Sequence, residues 1–99
     1  MQVLIADSLP ENTIAELEAR GHNCVVEPSL GEADLAERIP EFDILVVRST
    51  KVSESVFGSG GRLALVVRAG AGTNTIDTAA AAARGVLVAS DLRLGLAFD

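Results

Sequence analysis

Two apolar runs in this chain end in the same residue. Asp43-Ile44-Leu45-Val46-Val47-Arg48 and Leu63-Ala64-Leu65-Val66-Val67-Arg68 each close on an arginine, and Lys51, the only lysine, follows the first by three positions. If these runs are neighbouring strands, the two guanidinium groups occupy matching places and converge on one crevice with Lys51. Arginine forks match carboxylate and phosphate oxygens and keep their charge at neutral pH. After Arg68 come Gly70 and Gly72, which let backbone N–H groups approach an anion, and a following helix N-terminus adds donors. Such a set is expected to hold a small acid bearing carboxylate or phosphate. The competing reading is structural: with 14 acidic side chains against 8 basic ones, each arginine can pair with a neighbouring carboxylate.

Other patterns say less. Gly70-Ala71-Gly72 supplies the first two glycines of a dinucleotide fingerprint, but the third position is Thr75. The loop also follows the fourth strand rather than the first, so NAD is not expected there. Gly58-Ser59-Gly60-Gly61-Arg62 looks like a phosphate loop but enters a strand at its amino end, which makes it a plain turn. His22 and Cys24 alternate with Val25 and Val26 in an apolar stretch and read as edge or core residues. His22 is the only histidine and has no nucleophile beside it, so no Ser-His-Asp set exists.

The elements that must position these residues alternate. Gln2 to Ala6 is a short apolar strand, and Ser8-Leu9-Pro10-Glu11 has capping-box spacing with Pro in the first turn of a helix. Ile14 and Leu17 make its apolar stripe, and Gly21 stops it. His22 to Glu27 is a second strand, Pro28 to Gly31 a turn, and Glu32 to Ile39 a second helix ended by Pro40. The two arginine-ending runs are strands three and four, buried on both faces, with a short helix over Ser53 to Phe57 between them. Thr75 is expected to cap a helix that holds Asp77 in its first turn and runs through five alanines to Arg84 and a Gly85 stop. Val86 to Ala89 is strand five. Five strands alternating with four helices predict an α/β, flavodoxin-like, doubly wound parallel sheet of order 2-1-3-4-5. Ligands then belong beyond the carboxyl ends of the strands, at Asp7, Glu27, Arg48 to Lys51, Arg68 to Asn74 and Ala89 to Asp91.

Composition narrows the function. With 99 residues, 48% of them hydrophobic and 22% charged, the chain is expected to form one domain and not a disordered tail. No apolar run approaches the roughly 20 residues needed to span a bilayer, and the N-terminus lacks the basic start of a secretory signal, so a cytoplasmic location is expected. One cysteine allows neither an internal disulfide nor a C-x-x-C metal pair. A net charge of −6 with no Trp or Tyr argues against nucleic acid. A phospho-receiver needs an acidic pair after strand one and an aspartate after strand three, where this chain has Asp7 alone and Arg48. A flavodoxin needs a Ser/Thr/Gly phosphate loop after strand one and aromatics around the flavin, and neither is present.

The segments Val46-Val47-Arg48-Ser49-Thr50-Lys51-Val52 and Val66-Val67-Arg68-Ala69-Gly70-Ala71-Gly72-Thr73-Asn74-Thr75-Ile76-Asp77, followed by Ala79-Ala80-Ala81 and Arg84-Gly85-Val86-Leu87-Val88, resemble the NAD-dependent D-2-hydroxyacid dehydrogenases. Within that family the motifs look most like its D-3-phosphoglycerate dehydrogenase branch, which works in serine biosynthesis, and the likeness covers residues 2 to 88. The resemblance implies a substrate-binding domain over residues 1–89. It implies that Arg48, Ser49, Lys51 and Arg68 hold the phosphate or carboxylate end of a substrate. Backbone amides of Ala69, Gly70, Ala71 and Gly72, with Asn74 nearby, would cradle the reacting acid group. In the family, strand five leads through an Asn-x-Pro-Gly-x-Asn crossover into a domain that holds NAD and the hydride-transfer residues. Here Ser90-Asp91-Leu92-Arg93 stands in that place, so the expectation is an isolated or truncated substrate-binding domain with no catalytic residue, cofactor or metal of its own. The alternative is a free-standing flavodoxin-like scaffold. Residues 90–99 form a tail in which Leu92, Leu94, Leu96 and Phe98 alternate strictly, and a homodimer through residues 92–99 is expected from that period.

Overall fold

The computed structural model describes residues 1–7, 11–48, 50–58, 61–68 and 75–89. In chain order its elements are β1 (Gln2–Ile5), α1 (Glu11–Ala19), β2 (Asn23–Val26), α2 (Glu32–Arg38), a 3-10 turn (Ile39–Glu41), β3 (Ile44–Val47), α3 (Glu54–Gly58), β4 (Leu65–Arg68), α4 (Thr78–Ala83) and β5 (Leu87–Ala89). All strand pairs are parallel and the order is β2-β1-β3-β4-β5, as the alternation of elements predicts.

Strand alternation sorts the core into two layers. On one face Leu4, Ala6, Leu45, Val47 and Val66 meet Leu35 of α2, Ile39, Val56 and Phe57 of α3, and Ala81 of α4. On the other, Val3, Ile5, Ile44, Val46, Leu65 and Val67 meet Leu17 of α1, with Ile14 and Cys24 packed against them. β3 is buried at all four positions because both layers close over it. Each fully buried Leu, Ile or Val removes apolar surface worth about 1.5–3 kcal/mol from water, which is what fixes the register.

Helix ends depart from the sequence reading in two places. Asp77, not Thr75, caps α4: its carboxylate accepts the Ala80 N–H at 3.0 Å. Thr75 and Asp77 are drawn into a short parallel bridge instead, in which the Val52 N–H donates to the Thr75 carbonyl at 2.9 Å and the Asp77 N–H to the Val52 carbonyl at 2.8 Å. Asp77 thus stands where the bridge ends and the helix starts, and its carboxylate is the better cap there. Pro40 does not simply end helix two. It sits in the first turn of the 3-10 segment, where its missing N–H costs nothing, and the turn swings Phe42 into the core. The Ser8 end of the expected capping box, and the tail 90–99, lie outside the described residues. Gly21 and Gly85 stop their helices with positive φ, as expected.

Candidate anion site at the carboxyl edge

The sheet order reverses between β1 and β3: β1 connects outward to β2, while β3 connects the other way to β4. Loops leaving such neighbouring strands diverge and open a crevice at the carboxyl edge. Asp7 lies just beyond β1 at this point, and Arg48 just beyond β3.

The arginines do not occupy matching positions. The ladder sets Val47 opposite Arg68, so Arg68 is the last residue of β4 while Arg48 has already left β3. The reason is a turn bound to β1. The Asp7 Oδ2 accepts the backbone N–H of Arg48 at 2.6 Å and of Thr50 at 3.2 Å, and the Thr50 hydroxyl donates to the Ala6 carbonyl at 3.4 Å. From the other side the Arg68 Nε–H donates to the Arg48 carbonyl at 2.9 Å. The backbone of Arg48 is therefore gripped by a carboxylate at its N–H and a guanidinium at its carbonyl.

Lys51 is placed by its neighbour. Val52 is buried in the core and bridged to Ile76, which is also buried, and this ties the loop after β3 to the start of α4. Lys51 stands beside that anchor and is exposed, as is Arg48; Arg68 is half-buried. Of the residues expected to bind an anion, the structure brings Arg48, Lys51 and Arg68 to one edge. Ser49, Ala69, Gly70, Ala71, Gly72 and Asn74 lie outside the described residues. Asp7 is the residue whose part the sequence reading missed. Its position at the edge was legible, but the Arg48 and Thr50 amides whose hydrogen bonds it accepts are 41 and 43 residues away.

Charge pairing separates the arginines into two kinds. Arg62 forks onto Asp43 at 2.9 and 3.0 Å, Arg38 meets Glu27 at 2.7 Å with its guanidinium 5.8 Å from the Phe42 ring, and Arg20 lies 3.9 Å from Glu16. Among the described residues, Arg48 and Lys51 have no carboxylate partner. The structural explanation offered for arginines in an acidic chain thus holds at Arg20, Arg38 and Arg62 and not at these two cations. Cys24 carries no chemistry of this kind, since burial, with Glu18 nearby, pushes its thiol up and disfavours thiolate. No group of three or more His, Cys, Asp or Glu side chains among the described residues is arranged to hold a metal.

The same topology allows a test for a dinucleotide. That ligand needs glycines in the first strand-to-helix turn and an acid at the end of β2 for the ribose. The first turn has Asp7-Ser8-Leu9-Pro10, no glycine precedes Gly21, and Glu27 after β2 is paired with Arg38. These residues do not fit NAD.

Comparison with known proteins agrees with the fold. The family model of D-isomer specific 2-hydroxyacid dehydrogenases, catalytic domain, matches residues 3–91, and the chain belongs to that family. Its relatives include D-3-phosphoglycerate dehydrogenases of Mycobacterium leprae, 43% identical over 87% of this chain, and of Archaeoglobus fulgidus, 34% identical over 89%. The chain spans only 16% and 17% of their lengths. Among solved structures, an NAD+-bound 3-phosphoglycerate dehydrogenase of Entamoeba histolytica superposes with a TM-score of 0.78 at 32% identity, covering 89% of this chain and 32% of that one. No helix among the described residues is long and apolar enough to cross a membrane.

Proposed function

We propose that these residues form the substrate-binding part of a D-3-phosphoglycerate-dehydrogenase-like oxidoreductase, and that the carboxyl edge binds a small phosphorylated or 2-hydroxy acid. The observation that carries this is the pair of exposed cations, Arg48 and Lys51, standing without a carboxylate partner among the described residues at the topological switch point. Arg68 adds a third cation beside them: one of its five N–H donors holds the Arg48 carbonyl. Ser49, the amides of Ala69 to Gly72 and Asn74 complete the set in this reading. Arg48 and Lys51 would neutralise the phosphate, and the loop amides would orient the acid group next to the reacting carbon.

In this reading the NAD of the family is held by another domain, since the first turn of this sheet does not fit it. The chain then serves as the anion-recognising wall of a cleft, in the cytoplasm and in serine biosynthesis. The supporting argument is chemical: phosphate and carboxylate are the ligands for which unpaired guanidinium and ammonium groups are worth their repulsion.

Titration of the chain with 3-phosphoglycerate, followed by amide chemical shifts, tests the reading. Saturable shifts at Arg48, Lys51 and Arg68 that weaken with added salt are expected, and calorimetry with NADH is expected to be flat. Arg48→Ala binding as well as the parent sequence would sink the assignment, and saturable NADH binding in the micromolar range would show that the Gly70-Ala71-Gly72 loop had been misread.

A further inference from the structure

We propose that Asp7 is a positioning residue of the anion site, shaping the turn that aims Arg48 and Lys51 at the ligand, although its own charge opposes an anion. The proposal rests on the anion-binding reading above. A carboxylate at the edge of such a site repels the ligand, so its presence needs an offsetting role. The geometry supplies one. A single oxygen, Oδ2, takes the N–H groups of both Arg48 and Thr50, so one carboxylate holds the backbone at two positions beyond β3. The Thr50 hydroxyl bound to the Ala6 carbonyl closes the same turn onto β1 from its other end.

Three consequences follow for the cations. The turn takes Arg48 out of line with β3, so it does not continue the ladder beside Arg68. It presents the Arg48 carbonyl to the Arg68 Nε, which fixes one end of the second guanidinium. It also delivers the chain to Val52, whose bridge to Ile76 holds Lys51 at the edge. Asp7 thereby touches no ligand but sets where two cations stand and what the third is bonded to. By taking the Arg48 and Thr50 amides itself, its carboxylate leaves the ligand to the side chains.

Charge and geometry predict opposite signs, which makes the role testable. Inorganic phosphate is titrated into the full chain and its variants, and hydrogen exchange is read at the Arg48 and Thr50 amides. Asp7→Ala removes a negative charge, which by itself tightens anion binding, yet it is expected to weaken phosphate binding about tenfold and to deprotect both amides. Asp7→Asn keeps an oxygen in place and is expected to restore protection and to bind as tightly as the parent or tighter. Asp7→Glu keeps the charge but displaces the oxygen, and is expected to weaken binding, which decides the matter if the alanine variant does not fold. Phosphate binding by Asp7→Ala, or by Asp7→Glu where it alone folds, at parental strength or better overturns the positioning role and leaves the anion site standing. If the parent chain binds no phosphate while its amides are protected, the anion site itself falls, and the role of Asp7 in it falls too.

Discussion

Arg68 donates its Nε–H to the backbone carbonyl of Arg48 at 2.9 Å, so one cation of the candidate site is a strut for the backbone of another. The two arginines, which read as equivalents in the sequence, therefore differ in kind. Arg48 is exposed and spends no side-chain donor within the described structure, while Arg68 is half-buried and spends at least one.

This asymmetry predicts a split between binding and stability. Arg48→Ala should weaken phosphate binding while leaving unfolding free energy within about 0.5 kcal/mol of the parent. Arg68→Ala should weaken binding and also cost on the order of 1 kcal/mol, because the Arg48 carbonyl loses its donor. Urea unfolding of both variants, beside the phosphate titrations, checks this; equal stability losses would contradict it.

At the opposite edge, Asp43 accepts the Arg62 fork and the Gln2 N–H at 2.8 Å, and the Arg62 hydrogen bond in particular holds its carboxyl below the usual aspartate range. A carboxyl with a lowered folded pKa adds stability that is fully present above its unfolded value, about 3.9 for Asp, and is lost as pH falls through the folded value. Arg62→Gln should therefore narrow the gap: its stability should match the parent's more closely near pH 2 than at pH 6. Thermal unfolding across that range, with the Asp43 titration followed by NMR, gives the comparison. A constant difference would show that Asp43 is not the group involved.

Gly61 and Gly21 share positive φ, +87° and +91°, but not surroundings. A Cβ on Gly61 would stand 2.6 Å from the Cα of Pro40 and 2.9 Å from its carbonyl oxygen, whereas a Cβ on Gly21 meets nothing within 4 Å. Gly21→Ala should cost about 1 kcal/mol, the backbone term alone, and Gly61→Ala about 2–4 kcal/mol because packing strain adds to it. Chemical denaturation of the two variants separates the contributions, and similar losses would mean that the Pro40 turn yields freely.

A homodimer through residues 92–99 remains our proposal for the state in solution. Leu87 of β5, the last strand of the sheet among the described residues, is 55% exposed, and the alternating Leu92, Leu94, Leu96 and Phe98 follow it in sequence. Burying four such side chains is worth on the order of 6–12 kcal/mol before ordering costs. Light scattering should give a dimer mass for the full chain and a monomer mass for one ending at Ala89. Equal masses and equal stabilities would remove the tail from the interface.

The fold was legible because its signals are local. Val46 and Val47 between Asp43 and Arg48, Leu17 opposite Glu16 and Glu18, and the stops at Gly21 and Gly85 each follow from side-chain periodicity or backbone freedom within a few residues. The short connections between them leave few topologies besides 2-1-3-4-5. The chemistry of the edge was legible as residue types: Arg48, Lys51 and Arg68 stand there because strands three and four must end there. What tertiary structure alone decided was how they stand. The one-residue offset between Arg48 and Arg68, the capture of two distant amides by Asp7, and the Val52–Ile76 bridge that made Asp77 the cap of α4 all join segments some twenty or more residues apart. Hydrogen bonds across the carboxyl edge depend on the register of three packed strands, and that register is set when both apolar layers close on the sheet, a condition no stretch of sequence carries by itself.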